Sequence, residues 1–120
     1  MITVTKKFTF EYAHCLPNYQ GDCARVHGHR GVCLISVKGE INPESGMIID
    51  FKQLKKDMNP IFDQFDHHML NNFIPNPTAE NMLKYIVASI RGLNEWYEAN
   101  LYKVRVYETE DSYAEWVCSR

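Results

Sequence analysis

His27-Gly28-His29 is a His-x-His pair. On an extended strand, side chains at i and i+2 project from the same face. Two imidazoles can therefore reach one metal ion, and Gly28 leaves room beside them. His14 is the best third ligand, because it ends a segment able to pair with the strand that carries the two. Three histidines with one position left open is the pattern of catalytic zinc, whereas a structural site is usually closed by four protein ligands. The pattern is not specific by itself. His-x-His pairs occur on strands by chance, and His67 and His68 compete as ligands.

Cys23 lies in a polar loop four residues before His27. A thiol beside a cation, with Arg25 nearby, is depressed in pKa and partly ionised at neutral pH. It could act as a fourth ligand, a base or a nucleophile, or remain an exposed spectator. Cys15 follows His14 directly and should face the other way. Cys33 lies about 13 Å beyond His29 along an extended strand. Asp66-His67-His68 offers a carboxylate that can orient an imidazole and raise its basicity, although a polar helix end reads the same. Glu108 shares the parity of Val104 and Val106. A carboxylate there can accept two adjacent N–H donors in bidentate fashion, or be a solvated strand end.

The elements that must position these groups are legible as periodicities. Residues 2–14 alternate, with Ile2, Val4, Phe8, Phe10 and Tyr12 on one parity and His14 continuing it. This is a half-buried strand. A second strand spans about 27–40. A turn at 42–46 leads to a short extended run at 47–49, and Asp50 is a good N-cap for a helix starting at Phe51. Its stripe is Phe51, Leu54, Met58 and Phe62, and Pro60 should kink or interrupt it. Pro77-Thr78 starts a second helix whose apolar face is Met82, Leu83, Ile86, Val87 and Ile90, ended by Gly92. Residues 101–108 and 113–118 read as two more strands. The order ββααββ predicts an α+β fold, a four-stranded antiparallel sheet with two helices on one face.

The totals bound the rest. The 120 residues fit one domain, 1–120, and 45% of them are hydrophobic, enough for a core without staples. The net charge is −2 and no Lys/Arg run exceeds two residues, which argues against nucleic acid as a partner. No apolar stretch approaches the ~20 residues of a membrane span. No secretory signal is visible, so a cytosolic protein is expected, and its four cysteines are expected to be free thiols.

Taken in order, six segments resemble the 6-pyruvoyl- and 6-carboxy-tetrahydropterin synthase family over nearly the whole chain. They are Phe10-Glu11-Tyr12-Ala13-His14, Cys23-Ala24-Arg25-Val26-His27-Gly28-His29, Gly46-Met47-Ile48-Ile49-Asp50-Phe51, Asp66-His67-His68-Met69-Leu70-Asn71, Pro77-Thr78-Ala79-Glu80-Asn81 and Val106-Tyr107-Glu108-Thr109. The resemblance implies a tunnelling (T-) fold, usually a homohexamer with active sites between subunits, so that Cys23 and the Asp66/His67 pair would meet only across an interface. It implies zinc on His14, His27 and His29, Cys23 as the catalytic cysteine, and Asp66 and His67 as a proton relay. Glu108 then anchors a pterin ring, and Thr78 and Glu80 line its pocket.

Three residues separate Cys23 from His27. That spacing is similar to the 6-carboxy type, a lyase of queuosine and other deazapurine synthesis. It converts 7,8-dihydroneopterin triphosphate to 6-carboxy-5,6,7,8-tetrahydropterin, acetaldehyde and triphosphate. The stretch 101–109 looks rather like the 6-pyruvoyl type, which eliminates triphosphate without breaking a carbon–carbon bond. A zinc- or pterin-binding module without turnover is the reading from another class. Cys15 departs from the family, where many relatives carry Arg after the first histidine.

Overall fold

The computed structural model describes residues 1–119. One sheet carries the molecule. Its strands are β1 (Ile2–His14), β2 (His27–Gly39), β3 (His68–Met69), β4 (Leu101–Thr109) and β5 (Ser112–Val117), in the order β3-β1-β2-β4-β5. Three helices complete it: α1 (Phe51–Asp63), α2 (Ala79–Arg91) and α3 (Glu95–Asn100).

The alternation read in β1 is the alternation observed. Phe8, Phe10, Tyr12 and His14 are buried, whereas Thr9 and Glu11 are exposed. β1 and β2 pair antiparallel along their whole lengths, and the last matched pair is His14 with His27. That register puts all three candidate histidines at one end of a two-stranded ribbon. Cys33, Ile35 and Val37 of β2 and Val104 and Val106 of β4 continue the buried face. Leu54, Met58, Ile61 and Phe62 of α1 and the five apolar residues expected on α2 close over it. Phe10 stacks with Phe62 at 5.5 Å between centroids and meets Phe65 edge-on at 5.4 Å. Gly31 makes room for this cluster: a Cβ there would lie 2.5 Å from Cε2 and 2.6 Å from Cζ of Phe10.

Both helix starts behave as read. Asp50 accepts from the Lys52 N–H at 2.8 Å, and Thr78 accepts from the Asn81 N–H at 3.1 Å. Each bond satisfies a donor that the helix leaves free.

Five expectations need correction. The sheet has five strands rather than four, because His68–Met69 pairs with β1, and that pairing is parallel rather than antiparallel. Two residues are too few to leave a periodic signal. There are three helices rather than two. α3 has six residues, too short for a stripe, although Asn94 caps it by accepting from the Tyr97 N–H at 3.1 Å. Pro60 does not interrupt α1. It lies on the exposed side, as does Lys56, so the Lys56 carbonyl it leaves unbonded faces water. Phe51 is exposed rather than part of the buried stripe, and residues 47–49 form no strand, with a bend at 48–49. Among the described residues, no helix is long and apolar enough to cross a membrane.

Candidate metal centre

The end of the β1–β2 ribbon gathers three imidazoles. Ring centroids are 4.5 Å apart for His14 and His27, 4.9 Å for His27 and His29, and 5.1 Å for His14 and His29. The Nδ1–H of His14 donates to the Pro77 carbonyl at 2.8 Å. The Nδ1–H of His27 donates to the Arg25 carbonyl at 2.7 Å. A carbonyl can only accept, so each bond fixes the neutral tautomer that leaves a lone pair on Nε2. Such carbonyl partners are how metal-binding imidazoles are held in orientation. The Nε2 atoms of His14, His27 and His29 are buried and none has a hydrogen-bond partner. Unpaired buried nitrogens are costly, and one cation satisfies all three. Burial lowers the pKa of His14, opposed by its bond to Pro77, and burial likewise lowers that of His29, opposed by Glu108. Both effects favour the neutral, ligating form. The donor set thus fits a divalent metal, and imidazole nitrogens suit zinc among several such ions.

Glu108 joins this set. Its Oε1 lies 3.3 Å from His29 Nε2. One ligand atom from each of His14, His27, His29 and Glu108 lies within 4.8 Å of every other. Cys23 is not part of that group. It sits on a single 3-10 turn, Asp22–Ala24, half-buried, with its carbonyl accepting from the Leu16 N–H at 2.8 Å. Cys33 is the inert thiol expected of a core cysteine: it is fully buried, and burial raises its pKa. Cys15, Cys23 and Cys33 are free thiols.

Asp66 and His67 form a second site. His67 Nδ1–H donates to Asp66 Oδ2 at 2.9 Å, and the Glu11 N–H donates to Asp66 Oδ1 at 2.8 Å. His67 has φ of 59°, a left-handed conformation, held by its own N–H bond to the Glu11 carbonyl at 2.6 Å. The backbone hydrogen bond from Glu11, and then the bond to His67, hold the Asp66 carboxyl below the usual range. His67 borders a depression also lined by Glu11, Tyr12, Ala13, Gly28, His29 and Arg30. Neither Asp66 nor His67 belongs to the group of potential ligands formed by His14, His27, His29 and Glu108.

Thr78 spends its hydroxyl on capping α2, and Glu80 is exposed in the first turn of that helix. The segment still borders the metal centre, because Pro77 holds His14. Two positioning residues escaped the sequence reading. Asn71 accepts from the Cys15 N–H and donates to the Cys15 carbonyl, each at 3.0 Å, and so pins the chain next to His14. Tyr12 stands beside the cluster, its ring centroid 5.2 Å from that of His14 and 5.7 Å from that of His29. Its hydroxyl is buried without a partner. Parity marked Tyr12 as a core residue, and only its phenol oxygen hinted at more.

Comparison with known proteins gives the family. The family model for 6-pyruvoyl tetrahydropterin synthase matches residues 3–117. A Synechocystis 6-carboxy-5,6,7,8-tetrahydropterin synthase is 34% identical over 127 residues, covering 100% of this chain and 96% of that protein. A dihydroneopterin monophosphate aldolase of Pyrococcus furiosus is 34% identical over 83 residues, 69% of each chain. The Caenorhabditis elegans 6-pyruvoyl tetrahydropterin synthase structure superposes with a TM-score of 0.89 at 28% identity, covering 98% of this chain and 96% of that one. With the matched model spanning both the histidine cluster and Glu108, the chain belongs to the 6-pyruvoyl tetrahydropterin synthase family.

Proposed function

We propose that the chain is a zinc-dependent carbon–carbon lyase. It converts 7,8-dihydroneopterin triphosphate, with water, to 6-carboxy-5,6,7,8-tetrahydropterin, acetaldehyde and triphosphate, in queuosine and related deazapurine synthesis. The observation that carries the reading is the convergence of three buried, unpaired Nε2 atoms. The short Cys23-to-His27 spacing and the Synechocystis relative favour the 6-carboxy reaction.

His14, His27 and His29 would hold the ion, which when bound supplies Lewis acidity toward a side-chain oxygen of the substrate. Glu108 accepts the two adjacent N–H groups of the pterin ring, and Thr78 and Glu80 line the ring's pocket. Cys23, as thiolate, removes a proton from the substrate side chain. His67 moves protons at its Nε2, since its Nδ1–H is engaged by Asp66. Because Asp66 and His67 stand outside the ligand group of the histidine cluster, we take a complete site to draw on more than one copy of the chain. A homohexamer working in the cytosol is the assembly we propose.

The test is the Cys23→Ala variant. Full metal content with loss of turnover supports the role of the thiol. Full turnover with metal bound contradicts it. A product with a pyruvoyl side chain and no acetaldehyde is the second reading, favoured by the match to the Caenorhabditis elegans structure.

A further inference from the structure

Glu108 has two claims on it. The proposed reaction, on which this inference rests, asks its carboxylate to accept the N–H groups of a pterin. The structure instead sets that carboxylate against the histidines. Ligand atoms about 2.0–2.2 Å from a tetrahedral ion stand about 3.3–3.6 Å from one another. The 3.3 Å between Glu108 Oε1 and His29 Nε2 is such a tetrahedral edge. The same four side chains form the one group of potential ligands found among the described residues. One carboxylate cannot cap the ion and clasp a heterocycle in bidentate fashion at the same time.

We propose that Glu108 closes the metal site in the substrate-free protein and leaves it to take the pterin, so that the fourth metal position opens only when substrate binds. Two observations fit this exchange. Glu108 follows Tyr107 near the end of β4, and 26% of its side chain is exposed, so it can swing without unpacking the core. Tyr12 is only 4% exposed, its hydroxyl has no partner, and its ring centroid lies 5.7 Å from that of His29. In this proposal its unpartnered hydroxyl is the donor that steadies the capping carboxylate through the oxygen that is not on the metal. Water and unproductive ligands are thereby kept off the ion until a ring that offers adjacent N–H donors draws Glu108 away.

The test uses full-length protein loaded with cobalt(II), read by its visible absorption, with azide as a probe of the fourth position and neopterin as the pterin. In the wild type, azide binds weakly, and saturating neopterin tightens it at least about tenfold. In Glu108→Gln, azide binds with or without neopterin alike, and the metal is held about 10–100-fold more weakly. Tyr12→Phe, which keeps the ring and so the packing, shows azide affinity between the two. Equal azide affinity in wild type and Glu108→Gln without neopterin overturns the proposal, as does an unchanged metal affinity in Glu108→Gln. If azide separates the two proteins but neopterin binds neither, Glu108 still closes the site. The pterin reading is then what fails.

Discussion

The Nδ1–H of His14 donates to the Pro77 carbonyl at 2.8 Å, across 63 positions of sequence. This bond ties the end of the first strand to the residue that precedes the cap of α2. It sets the imidazole's tautomer and aims its Nε2 at the other two histidines. The metal centre therefore depends on the docking of a helix, not only on the pairing of two strands.

His14→Ala removes a ligand together with this tie. Metal affinity should fall by more than the 10–100-fold typical of losing an outer partner, so at least about a hundredfold. Competition with a chromophoric chelator reads it directly. Retained stoichiometric zinc at wild-type affinity would show that the ion is held by other groups.

Gly31→Ala should be destabilising by about 1–3 kcal/mol, the usual cost of overpacking a core. The added Cβ meets the Phe10 ring at 2.5 Å, and that ring is held by Phe62 and Phe65. Denaturant unfolding of the metal-free protein measures this, with the midpoint falling and the slope unchanged. An unchanged midpoint would mean that the aromatic cluster shifts freely.

Much of this was legible in the sequence, and the misses have physical reasons. Alternation placed His14 on the apolar parity of its strand, the His-x-His spacing put His27 and His29 on one face, and register did the rest by pairing His14 with His27. The stripe of α2 and its Thr78 cap were explicit. The β3 pairing was not, because two residues carry no period, and neither was α3, whose six residues carry no stripe. The burial of Glu108 against His29 was not foreseen either. Parity gives the face of a strand, but it does not say which neighbour on that face a flexible carboxylate will reach.

The pH dependence of Asp66 follows from its bonds. Its folded pKa is depressed by the Glu11 N–H first and by His67 second. A depressed carboxylate contributes stability above its ordinary range, and that contribution is lost as pH falls through the folded value. Asp66→Asn should thus be slightly less stable than wild type at neutral pH, with the gap closing below about pH 4. The gap is small because the carboxylate is exposed. Thermal melts of both proteins from neutral to acid pH check it. A gap that widens toward acid would reverse the sign and refute the assignment.

Cys23→Ala and His67→Ala should each be inactive alone and partly active when co-expressed. If one site takes Cys23 and His67 from different copies, about a quarter of the sites in randomly mixed assemblies keep both groups. No recovery in mixed assemblies would place both groups of each site on one chain. Such a result would require the Asp66–His67 segment to reach the histidine cluster of its own chain.

The central claim is tested most directly by incubating zinc-loaded protein with 7,8-dihydroneopterin triphosphate and measuring acetaldehyde and the pterin product together. The account predicts acetaldehyde in equal amount to 6-carboxy-5,6,7,8-tetrahydropterin, abolished by chelation and restored by zinc. Triphosphate release with a pyruvoyl product and no acetaldehyde, or no turnover by fully loaded protein, would contradict it.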